Sequence, residues 1–251
     1  MIETWRVLHH ASVGSTNDEA RRLATENAAS GTVVHADEQV AGRGRRARGW
    51  VSPPGNLYIS ILLRTGLPVT RTPELSFLTA VAVAEATEAL LPRNIAIRLK
   101  WPNDVLVGDA KIAGILIEQA DDAVIIGVGL NILHAPSLDT YKTTAVVLQG
   151  GLASVDSARD MLLERLRRLI GVWSADGFGP IRKLWTNRSF SIGAAIQVNM
   201  GGEPVQGRFA GLAADGALLL DTAQGRKRIM AGDVVPLNAS PASSEAAQVA
   251  R

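Results

Sequence analysis

Three apolar segments separated by tight turns constrain the fold of this chain most. They cover residues 95–101, 111–118 and 124–133, and each has the length of a strand. The turns between them carry Gly108-Asp109 and Asp121-Asp122, residue pairs that favour tight turns. Such turns join neighbouring antiparallel strands. We therefore predict that this part of the chain forms an antiparallel region of a sheet.

Helical and strand-like patterns alternate through the rest of residues 1–188. N-cap chemistry at Ser15, followed by acidic residues, predicts the start of a helix. Apolar spacing predicts two longer helical regions, over 73–91 and over 158–188, the second interrupted at Gly177. The sum is an α+β fold, a mixed sheet flanked by helices. The remaining strands are expected at 5–10, 32–36 and 57–63.

After Ser189 the pattern changes to short strand-like runs separated by glycine turns. Closely spaced hairpin signals predict a small β-barrel, which we place at residues 189–237. Residues 238–251 are rich in Ala and Ser and lack apolar periodicity, so we expect a disordered tail. The expected barrel strands are 192–198, 205–212, 217–220 and 228–231.

Composition limits the functions open to the chain. Of its 251 residues, 47% are hydrophobic and 20% are charged, as in ordinary globular proteins. Because no apolar run has the length of a membrane span and no signal peptide is evident, we expect a cytoplasmic location and no membrane partner. Without cysteine, acyl transfer must avoid an enzyme thioester, and a mixed anhydride is the natural alternative. The net charge of +2 does not indicate a general polyanion-binding surface.

Residues 42–50, GRGRRARGW, concentrate four arginines among glycines. Glycine lets the backbone approach a ligand closely, and each guanidinium presents a fork of donors to phosphate or carboxylate oxygens. We interpret the segment as a clamp for an anionic ligand, with a nucleic-acid patch and a solvated charge run as alternatives. A dinucleotide-binding loop is excluded, because Gly49, Pro53 and Pro54 prevent the helix that must follow such a loop.

Polar residues and glycines on the predicted strands indicate a ligand site. Asp104 follows the sequence Lys-Trp-Pro-Asn at a strand end, where it can serve an amine or a metal, or simply cap a turn. Lys111 is a lone cation at the start of an apolar strand. Gly114 in that strand, and the glycines of Gly127-Val-Gly129 in the next, leave space for a flat ligand lying across the sheet.

Five motifs, in this order, resemble those of the biotin protein ligases, the bacterial biotin–acetyl-CoA-carboxylase ligases. The resemblance extends to about Leu237. It implies a catalytic fold related to class II aminoacyl-tRNA synthetases, followed by an SH3-like C-terminal barrel. The motifs are Ser15-Thr-Asn17, Gly42-Arg-Gly-Arg-Arg-Ala-Arg48, Lys100-Trp-Pro-Asn-Asp104, Lys111-Ile-Ala-Gly-Ile-Leu116 and Gly127-Val-Gly-Leu-Asn131.

The resemblance implies an ATP-dependent reaction in two steps. The carboxylate of biotin attacks the α-phosphate of ATP to give biotinyl-5′-AMP and diphosphate. A lysine of the biotin carboxyl carrier domain of a carboxylase then attacks this mixed anhydride. Mg²⁺ would accompany ATP, coordinated by phosphates and water rather than by a protein metal site.

The resemblance also implies a role for each matched residue. Lys111, Asp104 and Arg45 are the implied catalytic residues. Lys111 would bind the carboxylate–phosphoryl junction, and Asp104 would orient or deprotonate the incoming lysine amine. The implied biotin contacts are Ser15, Thr16, Asn17, Gln39, Arg43, Gly44, Arg45, Lys111 and Gly114. The implied ATP or adenylate contacts are Arg43, Arg45, Arg46, Arg48, Trp50, Lys111 and Asn131.

The sequence also bears on DNA binding, on alternative activities and on oligomeric state. Some family members carry an N-terminal DNA-binding module and act as repressors, but only about a dozen residues precede Ser15, so we expect no specific DNA binding. A lipoate–protein ligase and a non-enzymatic nucleic-acid binder are the alternatives. Phe190 and Phe209 alone give the barrel segment little stacking surface for bases. A homodimer is left open.

Overall fold

The computed structural model describes residues 4–66, 68–137 and 141–237. The predicted disordered tail, 238–251, lies outside the described residues. The strands are β1 (Arg6–Val13), β2 (Thr32–Gln39), β3 (Leu57–Leu63), β4 (Ile97–Lys100), β5 (Asp104–Val107), β6 (Ala110–Ala120), β7 (Ala123–Leu130), β8 (Ala195–Asn199), β9 (Val205–Leu212), β10 (Leu218–Thr222), β11 (Gly225–Ile229) and β12 (Asp233–Pro236). The helices are α1 (Thr16–Thr25), α2 (Thr72–Leu90), α3 (Val155–Asp176) and α4 (Phe178–Asn187).

The first seven strands form one mixed sheet in the order β1-β2-β3-β7-β6-β5-β4. β1 and β2 pair in parallel, and the other neighbours are antiparallel. The mixed sheet flanked by helices, predicted from the sequence, is confirmed. The predicted turns are confirmed as well, because Gly108 and Asp121 have φ values of 57° and 50° and connect β5 to β6 and β6 to β7.

The prediction missed one strand, β5, between the predicted strand 95–101 and the turn at Gly108. The chain turns at Trp101-Pro102, whose peptide bond is cis, and β5 then returns along β4 with Asp104 opposite Lys100. The prediction placed a single strand at 95–101 and no strand between it and the turn at Gly108. A run as short as the four residues of β5 shows too little alternation to be recognised.

The two faces of the large sheet carry different layers. Ile61 of β3 belongs to the larger core, which also contains the buried residues of α2 and α3. Leu62 packs on the opposite face in a smaller cluster with Ala20 and Ala24 of α1. Side chains alternate along a strand, so Ser60 shares the face of Leu62. The polar residues at the start of α1 therefore meet this face of the sheet.

The last five strands form a separate antiparallel sheet in the order β11-β10-β9-β8-β12. The predicted barrel strands are found as β8 to β11, β9 with the predicted bounds and the other three with shifted ends, but β12 was missed. β12 pairs with β8, a segment distant in the chain, and its sequence Asp-Val-Val-Pro gave no hairpin signal. Trp101 Nε1 donates to the carbonyl of Gly216 at 3.2 Å and so connects the two sheets. The domain boundary after residue 188 stays a prediction.

None of the helices that the structure describes is long and apolar enough to cross a lipid bilayer.

Candidate active site

A cavity of about 760 Å³ opens on the sheet face that carries α1. The start of α1, the arginine-rich segment 42–50 and strands β5, β6, β7 and β12 contribute to its walls. It brings together all the predicted site residues except Arg46 and Asn131. Those that line it are Ser15, Thr16, Asn17, Gln39, Arg43, Gly44, Arg45, Arg48, Trp50, Asp104, Lys111 and Gly114.

One end of the cavity consists of fixed neutral polar groups. Gln39 Oε1 accepts hydrogen bonds from the backbone N–H and the hydroxyl of Thr16, at 2.9 and 3.1 Å. Ser60 Oγ lies 2.7 Å from Thr16 Oγ1 and 2.6 Å from Asn17 Oδ1. Because Thr16, Asn17 and Ser60 are buried, and all four groups are hydrogen-bonded to one another, their orientations are defined before a ligand arrives.

A glycine and a carboxylate determine the position of Asn17. A Cβ at Gly127 would lie 2.2 Å from Asn17 Oδ1, so a glycine is needed opposite this amide. Asn17 Nδ2 donates to Glu118 Oε2 at 2.7 Å. An ionised carboxylate only accepts hydrogen bonds, so Glu118 fixes which end of the amide carries the donors.

The indole of Trp50 lies across β6 and β7. A Cβ at Gly129 would lie 2.5 Å from its ring, and one at Gly114 would lie 3.0 Å from it. The space predicted for a flat ligand over these two glycines is therefore occupied by a tryptophan side chain. Trp50 gives the cavity an apolar wall of large area.

A β-bulge brings Lys111 to the cavity face of β6. The pairing of β6 with β5 shifts by one residue at Ile112, so residues 111 and 114 share a face despite their odd spacing. A Cβ at Gly114 would lie 3.1 Å from Lys111 Nζ. Glycine thus leaves room for a buried ammonium group, and only 9% of Lys111 is exposed.

Asp104 lies between two lysines at this cationic end. Its Oδ1 is 2.6 Å from Lys111 Nζ, and its Oδ2 is 3.1 Å from Lys100 Nζ. Burial alone would raise the pKa of Asp104, but Lys111 and Lys100 hold the pKa of this carboxyl below its ordinary value. The three groups together keep one positive charge toward the cavity.

Carboxylates and an amide hold the arginines of segment 42–50. Arg43 NH2 donates to Asp18 Oδ1 at 2.5 Å and to Glu118 Oε2 at 3.2 Å. Arg45 NH1 donates to Asn103 Oδ1 at 3.1 Å, and burial lowers the pKa of its guanidinium. These three acceptors, Asp18, Glu118 and Asn103, belong to the large-sheet domain.

Two of the predicted site residues, Arg46 and Asn131, do not line the cavity. Arg46 has a φ of 55° and donates to Asp233 Oδ2 at 3.1 Å, outside the cavity lining. Asn131 is buried, and its Nδ2 donates to the carbonyl of Thr144 at 3.0 Å. Its backbone N–H donates to the carbonyl of Ile112, so Asn131 supports the bulge beside Lys111. The roles of Arg46 and Asn131 as adenylate contacts stay predictions.

Sequence reasoning missed three residues of this site. Ser60 was detectable, since it is the one polar residue inside the aliphatic part of a strand whose residues are all buried. Glu118 was placed at the end of a predicted strand but given no role. Asp233 gave no signal, because its contact with Arg48 joins residues 185 positions apart.

Comparison with known proteins assigns the fold and the site to a class of ligases that activate a carboxylic acid. Residues 10–131 match the profile of the biotin/lipoate A/B protein ligase family. Residues 191–235 match the biotin protein ligase C-terminal domain, and the five-stranded sheet is the SH3-like unit expected after the catalytic domain.

Individual relatives narrow the assignment from biotin or lipoate ligases to biotin ligases. The bifunctional ligase/repressor BirA of Bacillus subtilis is 36% identical over 239 residues, 91% of this chain and 73% of that protein. A biotin–acetyl-CoA-carboxylase ligase of Paracoccus denitrificans is 35% identical over 236 residues, 89% of this chain and 98% of that protein. The biotin protein ligase of Aquifex aeolicus in complex with biotin and ATP superposes with a TM-score of 0.79 at 26% identity, covering 92% of this chain and 97% of that one. The chain belongs to the biotin protein ligase family, as the five motifs indicated.

Proposed function

We propose that this protein uses ATP to attach biotin to a lysine on the carrier domain of a biotin-dependent carboxylase, through biotinyl-5′-AMP. The observation that carries the proposal is one cavity with a neutral polar end and a cationic end. Thr16 and Asn17 lie at the first end, and Arg45 and Lys111 at the second. Relatives named as biotin ligases, and a similar structure holding biotin and ATP, support it.

The neutral end suits the ureido ring of biotin. That ring offers two N–H donors and one carbonyl acceptor without charge, so it needs hydroxyl and carboxamide partners. Ser15, Thr16, Asn17 and Gln39 provide these groups at the start of α1 and the end of β2. Trp50, which packs against Gly114, provides the adjoining apolar surface.

The cationic end suits the adenylation step. Both reactants are anions, so attack of the carboxylate on the α-phosphate requires positive charge to offset their repulsion and to stabilise the transition state. Arg45 and Lys111 provide this charge, and Gly44 lets the backbone approach. Arg43 is paired with Asp18 and Glu118 next to Asn17, so its contact with the ligand stays a prediction. The bond formed joins a carboxylate oxygen to phosphorus, and diphosphate leaves.

In the transfer step, we assign to Asp104 the orientation of the incoming lysine rather than its deprotonation. Its pKa lies below the ordinary value, so it is a poor acceptor of a proton near neutral pH. A carboxylate already bonded to two ammonium groups is suited to hold a third by exchanging Lys100 for the carrier lysine. The carrier lysine loses its ammonium proton to solvent, and the neutral amine attacks the carbonyl of the mixed anhydride. As the C–N bond forms, the bond between the acyl carbon and the phosphate oxygen breaks, AMP leaves, and the second amine proton passes to solvent.

Three associated expectations stay predictions. Among the described residues no group of three or more His, Asp or Glu could hold a metal ion, and Asp104 is occupied by lysines, so we derive no step through Mg²⁺.

Absence of specific DNA binding is supported by Arg46 and Arg48, which bond to Asp233 rather than forming a free basic surface. A homodimer can be checked by analytical ultracentrifugation with and without biotin and ATP.

The function is tested by incubating the purified protein with Mg-ATP, biotin and a recombinant biotin carrier domain, and measuring the mass of the carrier. We expect a gain of one biotinyl group that depends on ATP. A parallel incubation with lipoic acid and a lipoyl domain tests the lipoate alternative. Modification of the lipoyl domain alone would contradict the assignment to biotin.

A further inference from the structure

Three of the four arginines in segment 42–50 approach a single carboxylate of the C-terminal sheet. Asp233 Oδ2 accepts from Arg48 NH2 at 2.5 Å and from Arg46 NH1 at 3.1 Å. Its Oδ1 lies 3.9 Å from Arg45 NH1, which is an ion pair but not a hydrogen bond. Asp233 therefore binds two arginines firmly and a third only loosely.

The loosely held arginine is the one that the proposed reaction needs. Arg45 lines the cavity, and its hydrogen-bond partner in that wall is the neutral Asn103. Its guanidinium is thus available to an anionic ligand without first breaking a tight ion pair. Arg46, in contrast, lies outside the cavity lining and has Asp233 as its partner.

Asp233 is itself held in a defined place. It is the first residue of β12 and lies opposite Asn199 of β8, where β12 forms the edge of the C-terminal sheet. Its side chain is 31% exposed, so the contacts with Arg46 and Arg48 are partly shielded from water. Asp233 and its neighbours in β12 also line the cavity, which places the C-terminal sheet next to the site proposed for the adenylate.

We propose that Asp233 is a positioning residue, which anchors Arg46 and Arg48 to the C-terminal sheet and so keeps Arg45 directed at the activated intermediate. This inference rests on the proposed function. In this arrangement the C-terminal sheet takes part in adenylate retention, although it provides none of the reacting groups. Arg46 then serves as an anchor and not as a direct adenylate contact.

The test measures how fast the activated intermediate leaves the enzyme. The protein is loaded with biotin and α-labelled ATP, rapidly desalted, and the loss of bound label is followed with time. Asp233→Asn keeps the size of the side chain but removes its charge, and we expect label to leave about tenfold faster, as loss of charge-assisted hydrogen bonds predicts. Asp233→Glu should restore slow release. Asp215→Asn is the matched control, because Asp215 is a carboxylate of the same domain that pairs with Arg228 on the surface.

Two further readouts separate positioning from a general loss of structure. For Asp233→Asn we expect a higher KM for ATP, while transfer from the loaded enzyme to the carrier keeps its rate. Arg46→Ala should also speed release, but less, because Arg48 keeps its bond to Asp233. The double variant should be no faster than Asp233→Asn alone, because Asp233→Asn already removes the charged partner of Arg46. If Asp233→Asn also lowers the melting temperature, the release rates of Arg46→Ala and Asp233→Glu test the positioning role instead.

The inference is overturned if Asp233→Asn folds normally and releases label at the wild-type rate, or if Arg46→Ala and Asp233→Asn act additively. Additivity would indicate that Arg46 contacts the adenylate directly. A wild-type protein that forms no labelled complex would instead contradict the proposed function, so the two failures are distinguishable.

Discussion

At the scale of single residues, the glycines of this site matter because they leave space for neighbouring side chains. Gly127 gives Asn17 its position, and Gly114 and Gly129 leave room for Lys111 and Trp50. Each glycine has a specific neighbour that a methyl group would meet, which makes its role measurable. Packing at these positions is too close for the neighbour to adapt at no cost.

Gly127→Ala should weaken biotin binding by displacing Asn17. The added Cβ would lie 2.2 Å from Asn17 Oδ1, and the amide must leave its bonds to Ser60 and Glu118. Loss of these oriented groups should weaken biotin binding about tenfold or more, measured by isothermal titration calorimetry. Gly14→Ala is the control, because a Cβ there has nothing within 4 Å. Equal affinity of the two variants would contradict the assignment of the polar end to biotin.

Asp104 should stabilise the fold at neutral pH but not in acid. Its folded pKa lies below its ordinary value of 3.8, so its contribution is fully present above that value and is lost as the pH falls through the folded pKa. We expect Asp104→Asn to lower the free energy of unfolding by about 3 kcal/mol at pH 7, since two lysines lose their partner. Urea unfolding from pH 7 down into the acid range checks this. Asp160→Asn, at a surface ion pair, should have little effect at any pH. A difference at Asp104 that persists undiminished in acid would contradict the account.

At the scale of elements, the contact between the two sheets depends on the turn that begins β10. Gly216 has a φ of 86°, and a Cβ there would lie 2.4 Å from Phe77 Cε2 on α2. Its carbonyl accepts the hydrogen bond of the Trp101 indole, next to the turn that carries Asp104. This turn therefore joins the C-terminal sheet to the end of the large sheet that carries Lys100 and Asp104.

Gly216→Ala should destabilise the protein more than strain in φ alone explains. The overlap with Phe77 adds about 2 kcal/mol to a backbone strain of about 1 kcal/mol. Gly193→Ala isolates the strain, because its φ is 87° and a Cβ there has nothing within 4 Å. Chemical denaturation measures both free energies of unfolding. An equal decrease in the free energy of unfolding for the two variants would show that the overlap with Phe77 is unimportant.

The elements predictable from sequence were those with strong local patterns. α2, with its apolar composition, and the hairpin at Asp121 both follow from residues close in the chain. β5, β12 and the bulge at Ile112 did not, because each is defined by pairing with another strand. The same limit explains the site: the motif residues were found, whereas Ser60 and Asp233 act through partners distant in sequence.

At the scale of the whole molecule, the positive charge of segment 42–50 is largely balanced by neighbouring carboxylates. The net charge is only +2, and the arginines of segment 42–50 meet Asp18, Glu118 and Asp233. A protein of this kind should show weak, salt-sensitive binding to nucleic acid and no preferred sequence. A gel-shift assay at physiological salt checks this, and specific retardation of one operator-like duplex would contradict it.

The central claim is that this cavity activates biotin as an adenylate and then transfers it. The most direct measurement is a single turnover with α-labelled ATP, biotin and no carrier, followed by addition of the carrier domain. We predict that label stays with the protein until the carrier is added and then appears as free AMP, in an amount equal to the biotinylated carrier. Lys111→Ala should form little of the bound label. Release of AMP without prior retention, or retention that does not require biotin, would contradict the account.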